Sequence, residues 1–272
     1  MHHFILLKAY YHEFFWKAMQ VPTETSDEFE KVANFLLELS SPIRIKILRI
    51  LSDGLEYRNS VISKQLKISP QESLRHLQRL QENNLIELIE RQYKISPIGT
   101  LILEGMFPML EFLIKHQEFF RNHDLTVLPV IFTKRFSEIA DSESIVIEGP
   151  TEIIALAEQI IEQAESFCYD IAKLVTRSTN QLMAQKKDFD VKRIEEKGGR
   201  PKVARIPDVQ SETRIIEHID IAMVISEKEA YIRFPLKNGE LSLQHALYSK
   251  NPNFVNFCKD LFFYFWEQSI SK

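Results

Sequence analysis

The sequence predicts a protein of α+β class with more than one domain, and three observations support this. The chain has 272 residues, which is long enough for two domains with separate hydrophobic cores. Its composition is 44% hydrophobic and 26% charged, which is typical of globular proteins. Up to about residue 123 the apolar residues follow helical spacing, interrupted by two short strand-like runs, whereas residues 124–272 alternate strands with helices.

Helical periodicity and local stop signals predict three helices at the start of the first part. They run from Asp27 to Leu39, from Ile43 to Leu51 and from Ser60 to Leu66. Ser26 is a suitable cap for the first helix, and Ser41-Pro42 precedes the start of the second. Gly54 ends the second helix, and Lys67–Ser69 forms the turn after the third.

The strongest local signal is the beginning of a fourth helix. Ser69 can accept from the free amide three residues on, Pro70 fits the first helical position, and Glu72 can reach back to complete a capping box. The apolar spacing predicts that Leu74, Leu77 and Leu80 are buried. The residues expected on the other faces, free to meet solvent or DNA, are Gln71, Ser73, Arg75, His76 and Arg79.

A hairpin follows this helix. Asn83-Asn84 ends the helix, and Leu85–Ile89 and Gln92–Ile95 pair as strands with Glu90-Arg91 at the tip. Residues 26–100 therefore have the element order of a winged helix-turn-helix, a DNA-reading fold.

The remaining segments complete the predicted domain organisation. Residues 1–25 are predicted as an aromatic helix that packs on a partner subunit or on its own chain, with a membrane-surface helix as the alternative. Residues 101–123 belong to a long helix from Pro97 to about Arg121, bent at Gly105 and Pro108, that links the domains or mediates dimerisation. The boundary is expected at residues 122–124.

Residues 124–272 are expected to form an α/β sensor domain. Its predicted strands are Ser144–Glu148, Phe167–Ile171, Phe189–Ile194, Lys202–Ile206, Ile219–Ile225 and Ala230–Phe234. Its predicted helices are Thr151–Glu165, Thr176–Lys187 and the aromatic-rich Phe254–Ser269.

Charge and cysteine content limit the classes of function. Residues 41–100 contain 10 Lys+Arg and 6 Asp+Glu, while the whole chain has a net charge of −4. A basic segment in an otherwise acidic protein favours contact with phosphates there. Cys168 and Cys258 are far apart and no cluster has metal-ligand spacing, so we expect no metal, no cofactor and a reduced, cytoplasmic protein.

The fourth helix is the predicted DNA reader. Gln71, Ser73, Arg75 and His76 lie near its amino terminus, where side chains of a recognition helix meet base edges. Phosphate contacts, which position the protein, are expected from Lys64, Lys67, Arg79 and Arg91, and Ser69 is a further candidate DNA-binding residue. The alternative is a winged helix that binds protein and not double-stranded DNA.

The phrases SPIRIKILRIL, ISKQLKIS, SPQESLRHLQRLQENNLIELIE and YKISPIG resemble archaeal winged-helix regulators related to the ArsR group. The metal-sensing cysteines of that group are absent. The phrases IDIAMVISEKEAYIRFP and FVNFCKDLFFYFWEQS resemble the archaeal methanogenesis-regulatory, or filamentation-regulator, family. The resemblance implies a dimeric transcription regulator with an effector domain, and it transfers no ligand.

Polar residues among apolar strands are the candidates for an effector site. A pocket with several arginines would suit an anionic small molecule. The candidates are Arg177, Arg205, Arg214, His218, Asp220 and Arg233. Each of them singly is more often a salt-bridge partner or a solvated surface residue. No set of acid–base or nucleophilic residues is evident, so an enzyme is not expected.

Overall fold

The computed structural model describes residues 26–141, 143–173, 176–186, 189–198 and 211–271. The chain divides into two compact units, Met1–Leu103 and Glu104–Lys272. The predicted helix in residues 1–25, the predicted strand Lys202–Ile206 and the candidate Arg205 lie outside the described residues.

The first unit consists of helices followed by a two-stranded hairpin. Its elements are α1 (Ser26–Leu39), α2 (Pro42–Ile50), α3 (Asn59–Leu66), α4 (Pro70–Glu82), β1 (Ile86–Ile89), β2 (Gln92–Ile95) and the short α5 (Pro97–Thr100). Tyr57 adds an antiparallel bridge to Tyr93, which the sequence did not indicate. Fully buried side chains from α2 to β1 form the core: Ile47, Leu48, Leu51, Ile62, Leu77, Leu80, Leu85 and Ile86.

A serine followed by a proline begins three helices of this unit in the same way. Ser41, Ser69 and Ser96 are the caps, and each hydroxyl accepts a hydrogen bond from the backbone amide three residues on. The proline occupies the first helical position, where no amide hydrogen is needed. The capping predicted for Ser69 is thus present, with the Glu72 amide 3.1 Å from its oxygen.

The helix predicted from Pro97 to Arg121 is interrupted. A π-helix occupies Leu101–Met106, and α6 (Phe107–Lys115) is separated from α7 (Gln117–Asn122) at His116, whose backbone leaves helical geometry. Phe112 and Phe119 are buried in the core of the second unit, so residues 104–123 are part of that unit and are not a free linker. The helical stretch Pro97–Lys115 is also long and apolar enough to cross a membrane by length and composition, with 22% of it buried.

The second unit is built on one mixed sheet with helices on both faces. Its described strands are β3 (Ile145–Glu148), β4 (Phe167–Ala172), β5 (Asp190–Glu196), β6 (Ser211–Ile216), β7 (Ala222–Ser226), β8 (Ala230–Arg233), β9 (His245–Ser249) and β10 (Ile270–Ser271). Their spatial order is β10-β6-β5-β4-β7-β8-β9-β3. Strands β4, β5 and β6 are parallel, and β4 pairs with β7 in the antiparallel sense.

The two faces of this sheet have separate cores. The helices of this unit are α6, α7 and the short α8 (Val130–Thr133), followed by α9 (Pro150–Gln163), α10 (Arg177–Gln185) and α11 (Pro252–Gln268). Apolar residues of α11 pack with Tyr169 and Ile171 of β4, whereas those of α9 and α10 pack with Cys168 of the same strand. This alternation follows from the two-residue period of a strand.

Candidate nucleic-acid interface

A tight turn fixes helix α4 against helix α3. Lys67 ends α3 in the left-handed conformation, with φ of 56° and ψ of 40°, and the Ile68 amide donates to the Ser63 carbonyl at 3.1 Å. Asn59, at the start of α3, donates to the carbonyl of Pro70 at 2.9 Å. The two helices are therefore joined by backbone geometry as well as by their apolar contacts.

The face of α4 that meets the core differs from the prediction at two positions. Ser73, Leu77 and Leu80 are fully buried, whereas Leu74 is 37% exposed. The spacing of four and then three residues places Ser73 on the core side of the helix. The expectation that Ser73 is free to meet DNA was wrong, because its hydroxyl is enclosed and has no hydrogen-bond partner among the described residues.

The face of α4 opposite the core is polar and exposed. Gln71, Arg75, Gln78 and Glu82 follow one another at intervals of four, three and four residues, and all four are exposed. This spacing places the four residues on one line along the helix. Arginine and glutamine can each form paired hydrogen bonds with a base edge. Sequence reasoning missed Gln78, although its spacing from Arg75 is the signal that identifies it.

Arg79 is held on the flank of α4 by an ion-pair cluster with α1 and α2. Its guanidinium lies 2.8 Å from a carboxylate oxygen of Glu38, and Arg44 lies 3.3 Å from the other oxygen. Glu38 and Arg44 are buried, at 7% and 6% exposure. Arg44 also donates to the carbonyls of Leu37 and Glu38. Arg79 thus has an internal partner, although 54% of its side chain remains exposed.

His76 lies on the same flank and does not share the exposed line. Its ring is partly buried, and its Nδ1 atom is enclosed without a hydrogen-bond partner among the described residues. Burial, followed by the positive charge of Arg44, lowers the pKa of His76 below its ordinary value. A neutral, partly enclosed imidazole is a poorer candidate for base contact than the sequence predicted.

The other predicted DNA-binding residues are exposed. Lys64, Lys67 and Ser69 lie around the turn before α4, and Arg91 is at the hairpin tip. Glu90 and Arg91 both have positive φ. A two-residue hairpin turn of this type matches the right-handed twist of the two strands that it joins.

The candidate effector residues of the second unit do not form one cluster. Arg177 is exposed at the start of α10, and Arg214 stacks on Trp266 at 4.5 Å. His218 lies 2.8 Å from Glu196 and 3.1 Å from Asp220, and neither His218 nor Asp220 lines the cavity that Arg233 lines. Sequence reasoning missed Asp170, Arg193 and Tyr231, which the sheet register places beside this cavity.

The described residues contain no group of three or more His, Cys, Asp or Glu side chains that could hold a metal ion. Both cysteines are buried thiols, and burial raises the pKa of each. A buried, protonated thiol is a poor nucleophile and a poor metal ligand.

No protein-family model and no curated protein matches this chain. Among solved structures it is similar to TrmBL2, an archaeal chromatin protein with a novel mode of DNA binding, at 12% identity and a TM-score of 0.39, over 85% of this chain and 94% of that one. It is similar to the homodimeric winged helix-turn-helix DNA-binding domain of Mb0332 from Mycobacterium bovis, a possible ArsR-family regulator, at 21% identity and a TM-score of 0.30, over 34% of this chain and 87% of that one. It is also similar to NucT from Helicobacter pylori, at 9% identity and a TM-score of 0.37, over 47% of this chain and 98% of that one. The structural neighbours therefore include DNA-binding winged-helix proteins, but identities and TM-scores this low establish no function for this chain.

Proposed function

We propose that this protein is a sequence-specific, DNA-binding transcription regulator. The first unit acts as a winged helix-turn-helix, with α4 in the major groove of double-stranded DNA. The observation that carries the proposal is the exposed line of Gln71, Arg75 and Gln78 on the side of α4 opposite its buried face. These side chain types have the donors and acceptors that distinguish guanine and adenine.

The charges around α4 support a division of roles. Lys64, Lys67 and Arg91 are exposed and contact phosphates, which fixes the position of α4 on the duplex. Arg79 is partly neutralised by Glu38, so it orients α4 and at most adds a phosphate contact. Ser73 and His76 have no part in base reading in this proposal.

Two further parts of the proposal concern assembly and regulation. The protein acts in the cytoplasm as a homodimer that reads two half-sites, and the exposed apolar residues Phe29, Val32, Leu36 and Leu37 of α1 provide a surface for the second copy. The second unit senses a small molecule, for which its cavity is a suitable place.

Selection of bound sequences from random duplex DNA tests the proposal. The full-length protein is incubated with the library at two salt concentrations, and the bound fraction is sequenced. We expect a palindrome whose half-sites are roughly 10 base pairs, or a multiple of that, apart. Affinity for it should fall steeply as salt rises.

The rival function is a winged helix that binds protein. It predicts no enriched sequence and no steep dependence of DNA affinity on salt. Sedimentation or light scattering of the same sample tests the dimer separately. A monomer that selects a single half-site would remove the dimer from the proposal and leave DNA reading in place.

A further inference from the structure

The second unit contains a cavity of about 200 Å³ between helix α9 and the sheet. An engineered cavity of roughly 150 Å³ in a protein core binds benzene, so this space is sufficient for a small organic molecule. Ala157 of α9, Ala172 of β4 and Ala222 of β7 line it. Their short side chains leave the space open where larger residues would fill it.

Asp170 lines this cavity and forms a buried ion pair with Arg193 of β5, which is not among the lining residues. Asp170 of β4 is 3% exposed, and Nε of Arg193 donates to its two carboxylate oxygens at 2.9 and 3.0 Å. The remaining donors of Arg193 face Asn180 and the sulfur of Met183. Arg193 therefore balances the charge of Asp170, through one Nε–H that both carboxylate oxygens share.

Arg233 of β8 is different, because no described carboxylate forms an ion pair with it. Its Nε and Nη2 atoms donate to the carbonyl oxygen of Ser242, at 2.8 and 2.5 Å. Tyr231, a buried residue two positions earlier on the same strand, lines the cavity beside it. A partly buried guanidinium without a counterion is energetically costly, and it attracts an anion.

The other charged groups near the cavity are already paired with one another, so they do not neutralise Arg233. Lys173, at the rim, lies 3.3 Å from Glu196. The wall opposite Arg233 is apolar, with Ile153, Ile154 and Ile161 of α9. The cavity thus combines one unbalanced positive group with an apolar wall.

In an extension that rests on the proposed sensing function, we infer that this cavity binds a small organic monoanion about the size of benzoate. Its carboxylate accepts hydrogen bonds from Arg233 and Tyr231, and its apolar body packs against the isoleucines of α9. The proposal makes Arg233 the specificity-determining residue, since it selects an anion over a neutral molecule of equal shape.

Fluorine NMR titration of the full-length protein tests this inference with two matched probes, 4-fluorobenzoate and the uncharged 4-fluorobenzamide. We expect the benzoate to bind at least about tenfold more tightly than the amide, because it makes a charge-assisted hydrogen bond. Arg233→Gln should remove this preference. Arg121→Gln is the control, since Arg121 is 68% exposed and pairs with Glu118 at the surface.

Two more variants guard against loss of folding in Arg233→Gln. Arg233→Lys keeps the positive charge and should retain most of the preference for benzoate. Ala172→Leu fills the cavity and should abolish binding of both probes. Circular dichroism of each variant checks that the unit is folded.

The inference is overturned if neither probe binds the wild type, if both bind equally, or if a folded Arg233→Gln variant keeps the preference. The outcome is separable from that of the DNA selection, because that selection contains neither benzoate probe nor any variant of Arg233. Benzoate binding without sequence selection would refute the proposed function alone. Sequence selection without benzoate binding would refute the inference alone.

Discussion

Replacing Gly99 by alanine should destabilise the first unit at the point where the hairpin re-enters a helix. A Cβ atom at this position would lie 2.2 Å from the carbonyl oxygen of Leu85 and 2.8 Å from Cγ1 of Ile95. The Leu85 carbonyl also accepts from the Ser96 amide at 3.2 Å, so backbone and hydrogen bond must shift together. Overpacking of this kind costs about 1–3 kcal/mol.

Gly105 provides the matched control, because a Cβ there meets nothing within 4 Å. Alanine at Gly105 should be neutral or stabilise by up to about 1 kcal/mol, since it reduces the freedom of the unfolded chain. The Gly99→Ala cost of about 1–3 kcal/mol corresponds to a roughly 5-fold to 150-fold larger equilibrium constant for opening, and to amide exchange that is faster by the same factor.

Hydrogen–deuterium exchange with mass spectrometry measures this effect unit by unit. Peptides from α3 and α4 should exchange faster in Gly99→Ala, while peptides from α11 in the second unit remain unchanged. The steric reasoning would be refuted if the exchange rates of the α3 and α4 peptides rose less than twofold in Gly99→Ala, or if Gly105→Ala raised them equally.

Two further predictions concern buried polar groups. Glu38→Ala leaves the buried Arg44 without its carboxylate and should lower the free energy of unfolding, measured with denaturant, by about 3–5 kcal/mol. Glu30→Ala, at an exposed position of α1, should change it by no more than about 0.5 kcal/mol. Equal effects of the two substitutions would contradict the buried pair. His123 is 3% exposed, its Nδ1 atom is hydrogen-bonded to the Phe119 carbonyl, and burial lowers its pKa. As the pH falls, the imidazole therefore takes up a proton in the unfolded state before it does so in the folded state. The free energy of unfolding should decrease as the pH drops below about 6.5. His123→Gln should reduce that pH dependence by up to about 1.4 kcal/mol per pH unit, and an unchanged slope in pH-dependent unfolding would exclude the effect.

The sequence predicted local elements well where a side chain rule specifies them. The Ser69-Pro70 cap and the Glu90-Arg91 hairpin tip are at the expected residues. The face of α4 was less well predicted, because leucine was assumed to be buried and serine exposed. Packing against the core reversed this at Ser73 and Leu74.

The cavity of the second unit could not be predicted in the same way. Asp170, Arg193 and Tyr231 are separated in sequence, and they meet only through the register of four neighbouring strands. Strand order is set by non-local pairing, which periodicity does not reveal. The sequence did single out Arg233, but it grouped that residue with His218 and Asp220, which pair elsewhere.

The most direct test of DNA reading is to compare Arg75→Ala with Arg79→Ala on the selected duplex and on a scrambled one, over a range of salt. The account predicts that Arg75→Ala loses about 1–3 kcal/mol of binding free energy, roughly 5-fold to 150-fold in affinity, on the selected duplex and much less on the scrambled one. Arg79→Ala should affect both duplexes alike and by a smaller factor, because Arg79 pairs with Glu38. Unchanged sequence preference in a folded Arg75→Ala variant would contradict the central claim.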